Sequence, residues 1–208
     1  MRMSKMHRHF CPIFSGCVIC ARSRKKMKIL LIAGSIRKDS YNRRLIKWAA
    51  NSLETKGCEV RVADIGALPL MNEDLEVDGT RPAEVEAFRD DLKWAEGLVI
   101  STPEYNGSMP GVLKNAIDWG SRPPNLFASR VGVVMGATIG IWGTVQSQRD
   151  LNAVLHALNV LLIPSPFVRL ARVSESFDAE GNLTDVIGLR NIDLLLDRLI
   201  DEGGRLLG

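Results

Sequence analysis

Two stretches of the chain bring together residue types that bind anions and flat rings. The first reads Gly34-Ser35-Ile36-Arg37-Lys38-Asp39-Ser40-Tyr41-Asn42. Gly34 permits a sharp turn, Ser35 and Ser40 supply hydroxyl donors, Asn42 an amide donor and Arg37 a cation. A helix starting at its end adds free backbone N–H groups and the positive end of its dipole, which completes an anion cradle. The stretch matches neither the G-x-G-x-x-G of dinucleotide folds nor the G-K-[ST] ending of a P-loop. Simple helix capping by Ser40 or Asp39 is its plain structural alternative.

The second stretch runs Thr102-Pro103-Glu104-Tyr105-Asn106-Gly107-Ser108-Met109-Pro110-Gly111. A turn this rich in Pro, Asn and Gly exposes its backbone, and Tyr105 has no obvious buried face. Free amides beside an aromatic suit a heteroaromatic ring gripped by its edge. An ordinary turn with Glu104 as a solvated charge is the competing reading. A third stretch, Gly136–Thr144, carries Gly136-x-x-x-Gly140-x-x-Gly143, but its spacing and its place after a fourth strand do not fit a nucleotide fingerprint. His156 lies beside an apolar stripe with no metal constellation around it, so a surface or core-edge role and no metal site are expected.

Each of these stretches follows a short apolar run. Lys28–Ala33 reads as a strand buried on both faces. Leu45, Trp48, Ala49 and Leu53 then mark a helix that Gly57 can close, and Cys58–Ala63 alternates as a second strand. A long connection, Asp64–Arg81, leads to a helix opened by Pro82 and carrying Val85, Phe88 and Leu92. Gly97–Ser101 is a third strand, and Pro110 opens a helix with Leu113, Ala116 and Ile117. Arg130–Met135 is a fourth strand, followed by a helix over Leu151, Val154, Leu155 and Leu158. Val160–Leu170 holds a fifth strand broken by Pro164 and Pro166, and Ile192, Leu195, Leu196, Leu199 and Ile200 stripe a final helix. Five strand–helix alternations imply right-handed crossovers and a doubly wound, mainly parallel sheet covered on both faces. Ligands in such sheets sit beyond the carboxyl ends of the strands, where all three stretches fall.

The first two loops resemble those of the NADPH-dependent FMN reductases, the family that includes bacterial quinone, azo-dye and chromate reductases. The first loop matches the family pattern G-S-x-R-x-x-S-x-N at every fixed position. The second matches from Pro103 through Arg122, and the resemblance extends from about Lys28 to the C-terminus. It implies a flavodoxin-like fold, a five-stranded sheet of order 2-1-3-4-5. It also implies that Ser35, Arg37, Ser40, Tyr41 and Asn42 hold the FMN phosphate and ribityl chain. Pro103, Glu104, Tyr105, Asn106 and Gly107 would flank the isoalloxazine, and Gly136, Ala137 and Thr138 its pyrimidine edge. Ile141-Trp142 departs from the small residues seen in relatives; Trp142 narrows the pocket, stacks on a substrate or packs on a partner subunit.

The implied activity passes hydride from NADPH (or NADH) to bound flavin, then electrons to a small acceptor: a quinone, azo compound, metal oxyanion or free flavin. The cofactor carries that chemistry, so no catalytic side chain is expected. Arg37 is also a candidate contact for a pyridine-nucleotide phosphate. A non-enzymatic flavodoxin-type carrier and a flavin-binding sensor are the readings from other classes. The resemblance implies a homodimer or homotetramer.

Composition sets the outer bounds. The chain has 208 residues, 46% hydrophobic and 25% charged, enough for one core without staples. No apolar run spans a membrane. The formal charge of +3 is concentrated in residues 1–26, which hold seven Lys or Arg and no acid, while residues 27–208 hold 20 basic and 24 acidic residues. A nucleic-acid surface is therefore excluded for the body. The same segment holds Cys11, Cys17 and Cys20. A secretory signal, an organelle-targeting peptide and a zinc site each fit it incompletely. The simplest expectation is a disordered extension over residues 1–26, with Met27 opening the reductase domain, 27–208. Cys58 alone in the body fits a reducing cytoplasm.

Overall fold

Apolar runs pair side by side, all in parallel, to build the sheet. The computed structural model describes residues 26–178 and 180–207, so the expectation for residues 1–26 lies almost wholly outside the described residues. Strand β1 (Lys28–Ala33) pairs with β2 (Glu59–Ala63) on one side and β3 (Gly97–Ser101) on the other. Strand β4 (Val131–Ala137) pairs with β3. Beyond β4 the edge is shared by two short strands, β5 (Leu161–Leu162) and β6 (Val168–Leu170), which align with the first and last residues of β4. The order is thus 2-1-3-4-5, with β6 continuing the fifth position. Pro164 and Pro166 divide it because proline has no N–H for a ladder, and an edge tolerates that loss best.

Side-chain alternation along the strands feeds two cores. Ile29, Leu31, Val99, Val133 and Met135 pack against helices α1 (Tyr41–Thr55) and α5 (Val186–Leu207). Leu30, Ile32, Leu98 and Ile100 pack against α2 (Ala83–Trp94), α3 (Gly111–Ser121) and α4 (Val145–Ala157). Full burial of one such aliphatic side chain stabilises by about 1.5–3 kcal/mol. Helix α1 shows why its ends fall where they do. Ser40 caps its start, its Oγ accepting from the Asn42 N–H at 3.2 Å. At its end Gly57, with φ +87°, donates to Glu54 O at 2.9 Å, and Cys58 N–H reaches Leu53 O at 3.0 Å. That pair of bonds is a Schellman closure, which needs the left-handed glycine.

Besides one-residue shifts at the starts of β2 and β4, one boundary that bears on the site differs from expectation. Strand β4 runs on to Ala137, because β6 pairs with Met135, Gly136 and Ala137. Gly136 and Ala137 therefore belong to the strand and only Thr138 opens the third loop.

Candidate active site

The loops after β1, β3 and β4 meet at one end of the sheet, and hydrogen bonds across them fix their shape. Gly34 N–H donates to Ser101 O at 2.7 Å. A Cβ at Gly34 would lie 3.0 Å from Leu113 Cδ2 and 3.2 Å from Ser101 O, so any larger residue would push on α3 and β3 where the first loop turns against them. Ser35 is buried, and its Oγ faces the Arg37 N–H at 3.4 Å. Ser40 N–H closes the loop onto Arg37 O at 3.2 Å. The N–H groups of Ile36, Lys38, Asp39 and Tyr41 find no acceptor among the described residues. Together with the N-terminus of α1 they form an anion cradle. The Arg37 side chain is exposed and has no partner among the described residues.

Asn42 lies beneath this loop, 2% exposed. Its Nδ2 donates to Ala137 O at 2.8 Å, and its Oδ1 accepts from Ala137 N–H at 3.0 Å and from Ser101 Oγ at 2.8 Å. The side chain thus clamps the first turn of α1 to the ends of β3 and β4. The Tyr41 ring packs against Phe177, with centroids 5.6 Å apart, and the Arg44 guanidinium covers it at 5.5 Å.

The second loop is a two-residue hairpin. Tyr105 and Ser108 exchange both backbone bonds, at 3.0 and 3.1 Å. Asn106 and Gly107, at φ +51° and +76°, supply the two left-handed corners of a type I′ turn. Tyr105 stands 52% exposed on its rim. Glu104 is no free surface charge: its Oε2 accepts from Gln146 N–H at 2.8 Å and Ser147 N–H at 3.1 Å. It caps α4, whose own N-cap Thr144 has φ +62° and makes no side-chain cap. Buried Pro103 offers its carbonyl to Thr102 Oγ1 at 2.9 Å and Ser147 Oγ at 2.8 Å. Ser108 Oγ donates to Asp150 Oδ2 at 2.8 Å, and this bond, with Arg149, lowers the Asp150 carboxyl pKa.

In the third loop, Thr138 N–H donates to Leu170 O at 2.9 Å and its Oγ1 accepts from Gly140 N–H at 3.2 Å. A Cβ on Gly136 would lie 2.5 Å from Thr102 O, and one on Gly143 2.7 Å from Arg169 O. Backbone crowding accounts for these glycines without any nucleotide fingerprint. Ile139, Ile141 and Trp142 are exposed, Trp142 at 72%. His156 is exposed on α4.

The expected site residues therefore gather at one end of the sheet, in two roles. Ser35, Arg37, Ser40 and Tyr41 shape or border the cradle; Asn42, Pro103 and Glu104 hold the loops to one another. Ser101, Thr102, Ser147 and Asp150 were not singled out from the sequence. Nothing in the sequence of α4, which also carries Gln146, Gln148, Arg149 and Asn152, marks Ser147 or Asp150 out. Among the described residues no group of three or more His, Cys, Asp or Glu is placed to hold a metal ion, and no helix is long and apolar enough to cross a membrane.

A flavodoxin-like sheet with an anion cradle after its first strand and paired loops beyond its third and fourth has the layout of a flavin-binding protein. The chain belongs to the NADPH-dependent FMN reductase family, whose model matches residues 27–175. It is 42% identical over 160 residues to an NAD(P)H-dependent FMN reductase of Pseudomonas aeruginosa, covering 76% of this chain and 85% of that protein. An NAD(P)H:quinone oxidoreductase of Solanum tuberosum is 40% identical over 163 residues, 76% of this chain and 84% of that one. Among solved structures, a flavoenzyme NAD(P)H:(acceptor) oxidoreductase from Paracoccus denitrificans superposes with a TM-score of 0.78 at 30% identity, over 86% of this chain and 98% of that one.

Proposed function

We propose that this protein is an FMN-dependent NAD(P)H oxidoreductase that delivers electrons to small acceptors, quinones first among them. The observation that carries the reading is the ring of unpartnered N–H groups at Ile36, Lys38, Asp39 and Tyr41, set on the N-terminus of α1. This donor set fits a phosphate monoester: it supplies several fixed N–H donors, the helix dipole and the Arg37 charge. Its family, and the quinone oxidoreductases and FMN reductase it resembles, support the same conclusion.

FMN, when bound, supplies a ring that accepts hydride from NAD(P)H and returns electrons to a second substrate. The chain's own residues bind and orient. Ser35, Arg37, Ser40 and Tyr41 hold the phosphate and ribityl chain, and Asn42 fixes the turn that aims them. The backbone of Pro103, Glu104, Asn106 and Gly107, with the Tyr105 ring, borders the flavin ring, and Gly136, Ala137 and Thr138 close its far edge. Hydride transfer needs no side-chain proton donor, so no catalytic residue is assigned. Exposed Tyr105, Ile139, Ile141 and Trp142 offer apolar contact to flat acceptors; azo compounds, metal oxyanions and free flavin fit the same open surface. The chain acts as a cytoplasmic homodimer or homotetramer in this reading, with residues 27–208 as the reductase domain.

Quinone reduction by the purified chain, followed by NADPH absorbance with no partner protein present, tests the proposal. Sustained turnover that depends on added FMN is expected. Turnover only when a second redox protein is supplied would assign the chain to the electron carriers instead.

A further inference from the structure

The first loop has a second side. On the flank away from β3, loop 34–40, α1 and the end of β2 enclose a cleft of about 440 Å³, a volume typical of small-molecule sites. It exists because β2 is an edge strand whose end α1 leaves uncovered; Val62 is 54% exposed. Its floor is apolar, with Val62, Ile65 and Ile46, and its rim carries Lys38, Arg43 and Lys47. None of these three cations has a hydrogen bond or ion pair among the described residues, whereas Lys56, Arg61 and Arg122 all do. Arg43 and Lys47 stand four residues apart on one helix, where like charges repel. The lining's carboxylate, Asp64, already accepts the Gly66 N–H at 3.0 Å. An apolar floor under uncompensated positive charge fits a ring system carrying a dianionic group.

We propose that this cleft takes the adenosine 2′-phosphate end of NADPH, and that Arg43 and Lys47, aided by Lys38, set a preference for NADPH over NADH. The inference rests on the reductase reading above and names its co-substrate site. Ligands of doubly wound sheets lie across the carboxyl ends of the strands, and the end of β2 adjoins the loop assigned to the FMN phosphate. A two-ended nucleotide whose reactive ring meets the flavin has its far end free to reach the neighbouring strand. The 2′-phosphate is the sole chemical difference between the two nucleotides, and more than one cation is needed to balance it.

Titration calorimetry of the FMN-loaded full chain with 2′,5′-ADP and with 5′-AMP tests this directly. The unmodified chain is expected to bind 2′,5′-ADP about tenfold or more tightly than 5′-AMP, the effect of one or two charge-assisted hydrogen bonds. Arg43→Ala/Lys47→Ala should bind the two alike and show a raised KM for NADPH relative to NADH. Lys47→Glu, a single exposed change, should weaken 2′,5′-ADP further, and Lys114→Ala, whose partner is Asp118 on α3, should not alter the preference. Equal binding of both probes by the unmodified chain, or a preference that survives in the double variant, would overturn the proposal. Flavin absorbance in the same samples separates the two levels. A chain that takes up no FMN contradicts the reductase reading and this site with it. Flavin-loaded chain without 2′-phosphate preference contradicts the site alone.

Discussion

Asn42 makes three hydrogen bonds that reach residues 59 and 95 positions away, and the cradle keeps its shape through them. Asn42→Ala leaves Ser101 Oγ and both polar groups of Ala137 short of partners in a buried place. The expected loss is about 2–3 kcal/mol of stability, read as a shift in the urea midpoint, with weaker FMN binding in parallel. Glu104 acts at a different end of the site. Glu104→Ala uncaps α4 and is expected to cost about 1 kcal/mol, while Glu104→Gln keeps an acceptor and costs less. Urea unfolding of the two variants side by side checks that ordering. The hydroxyl and cation of the first loop were legible in the sequence, because a cradle needs those types within a few residues. The clamping role of Asn42 was not, since its partners lie on β3 and β4. Glu104 reads as a residue flanking the ring or as a solvated charge, and its capping role is missed for the same reason: its partners sit on a helix 42 residues further on.

At the scale of elements, the connection from β2 to α2 is anchored first in the core, through Ile65 and Leu68, and then by charge. Arg122, at the end of α3, donates to Glu76 from both Nε and Nη2, and Arg81 adds a bond at 2.8 Å. The Arg122 hydrogen bond, helped by Arg81, pulls the Glu76 carboxyl from 4.5 down to about 2. A carboxyl whose folded pKa is depressed stabilises fully above its unfolded value, and that contribution drains away as pH falls through the folded one. Stability should therefore fall between about pH 4.5 and pH 2 more steeply in the parent chain than in Glu76→Gln. Urea midpoints of both proteins at pH 6 and pH 3 measure the difference; parallel declines would contradict the assignment. Strands were the most legible elements, because runs such as Lys28–Ala33 and Gly97–Ser101 are apolar on both faces. The end of β4 was not, since Gly136 reads as a loop residue until β6 is seen to pair with it. The break in the fifth strand was visible in Pro164 and Pro166.

For the molecule as a whole, the described core already includes Met27, whose carbonyl accepts the Glu59 N–H at 2.9 Å and whose side chain meets Gly97 and Gly203. A chain shortened to begin at Met27 is expected to keep its melting temperature and FMN affinity, which a thermal scan and a flavin titration would show. Fold class followed from the alternation of five strands and helices, and it limited where a ligand can sit before any motif was considered. The chemistry proposed for the site rests on the composition of two loops, which the fold brings to the same end of the sheet. The cleft beside β2 is invisible in sequence, because Lys38, Arg43 and Lys47 belong to no motif and only the uncovered end of the edge strand sets a cavity beside them. The most direct test of the central claim is a visible spectrum of the purified chain reconstituted with FMN, before and after anaerobic NADPH. Flavin bands that stay with the protein and bleach on NADPH are the predicted result. Flavin that is not retained, or that is retained and stays oxidised, would contradict it.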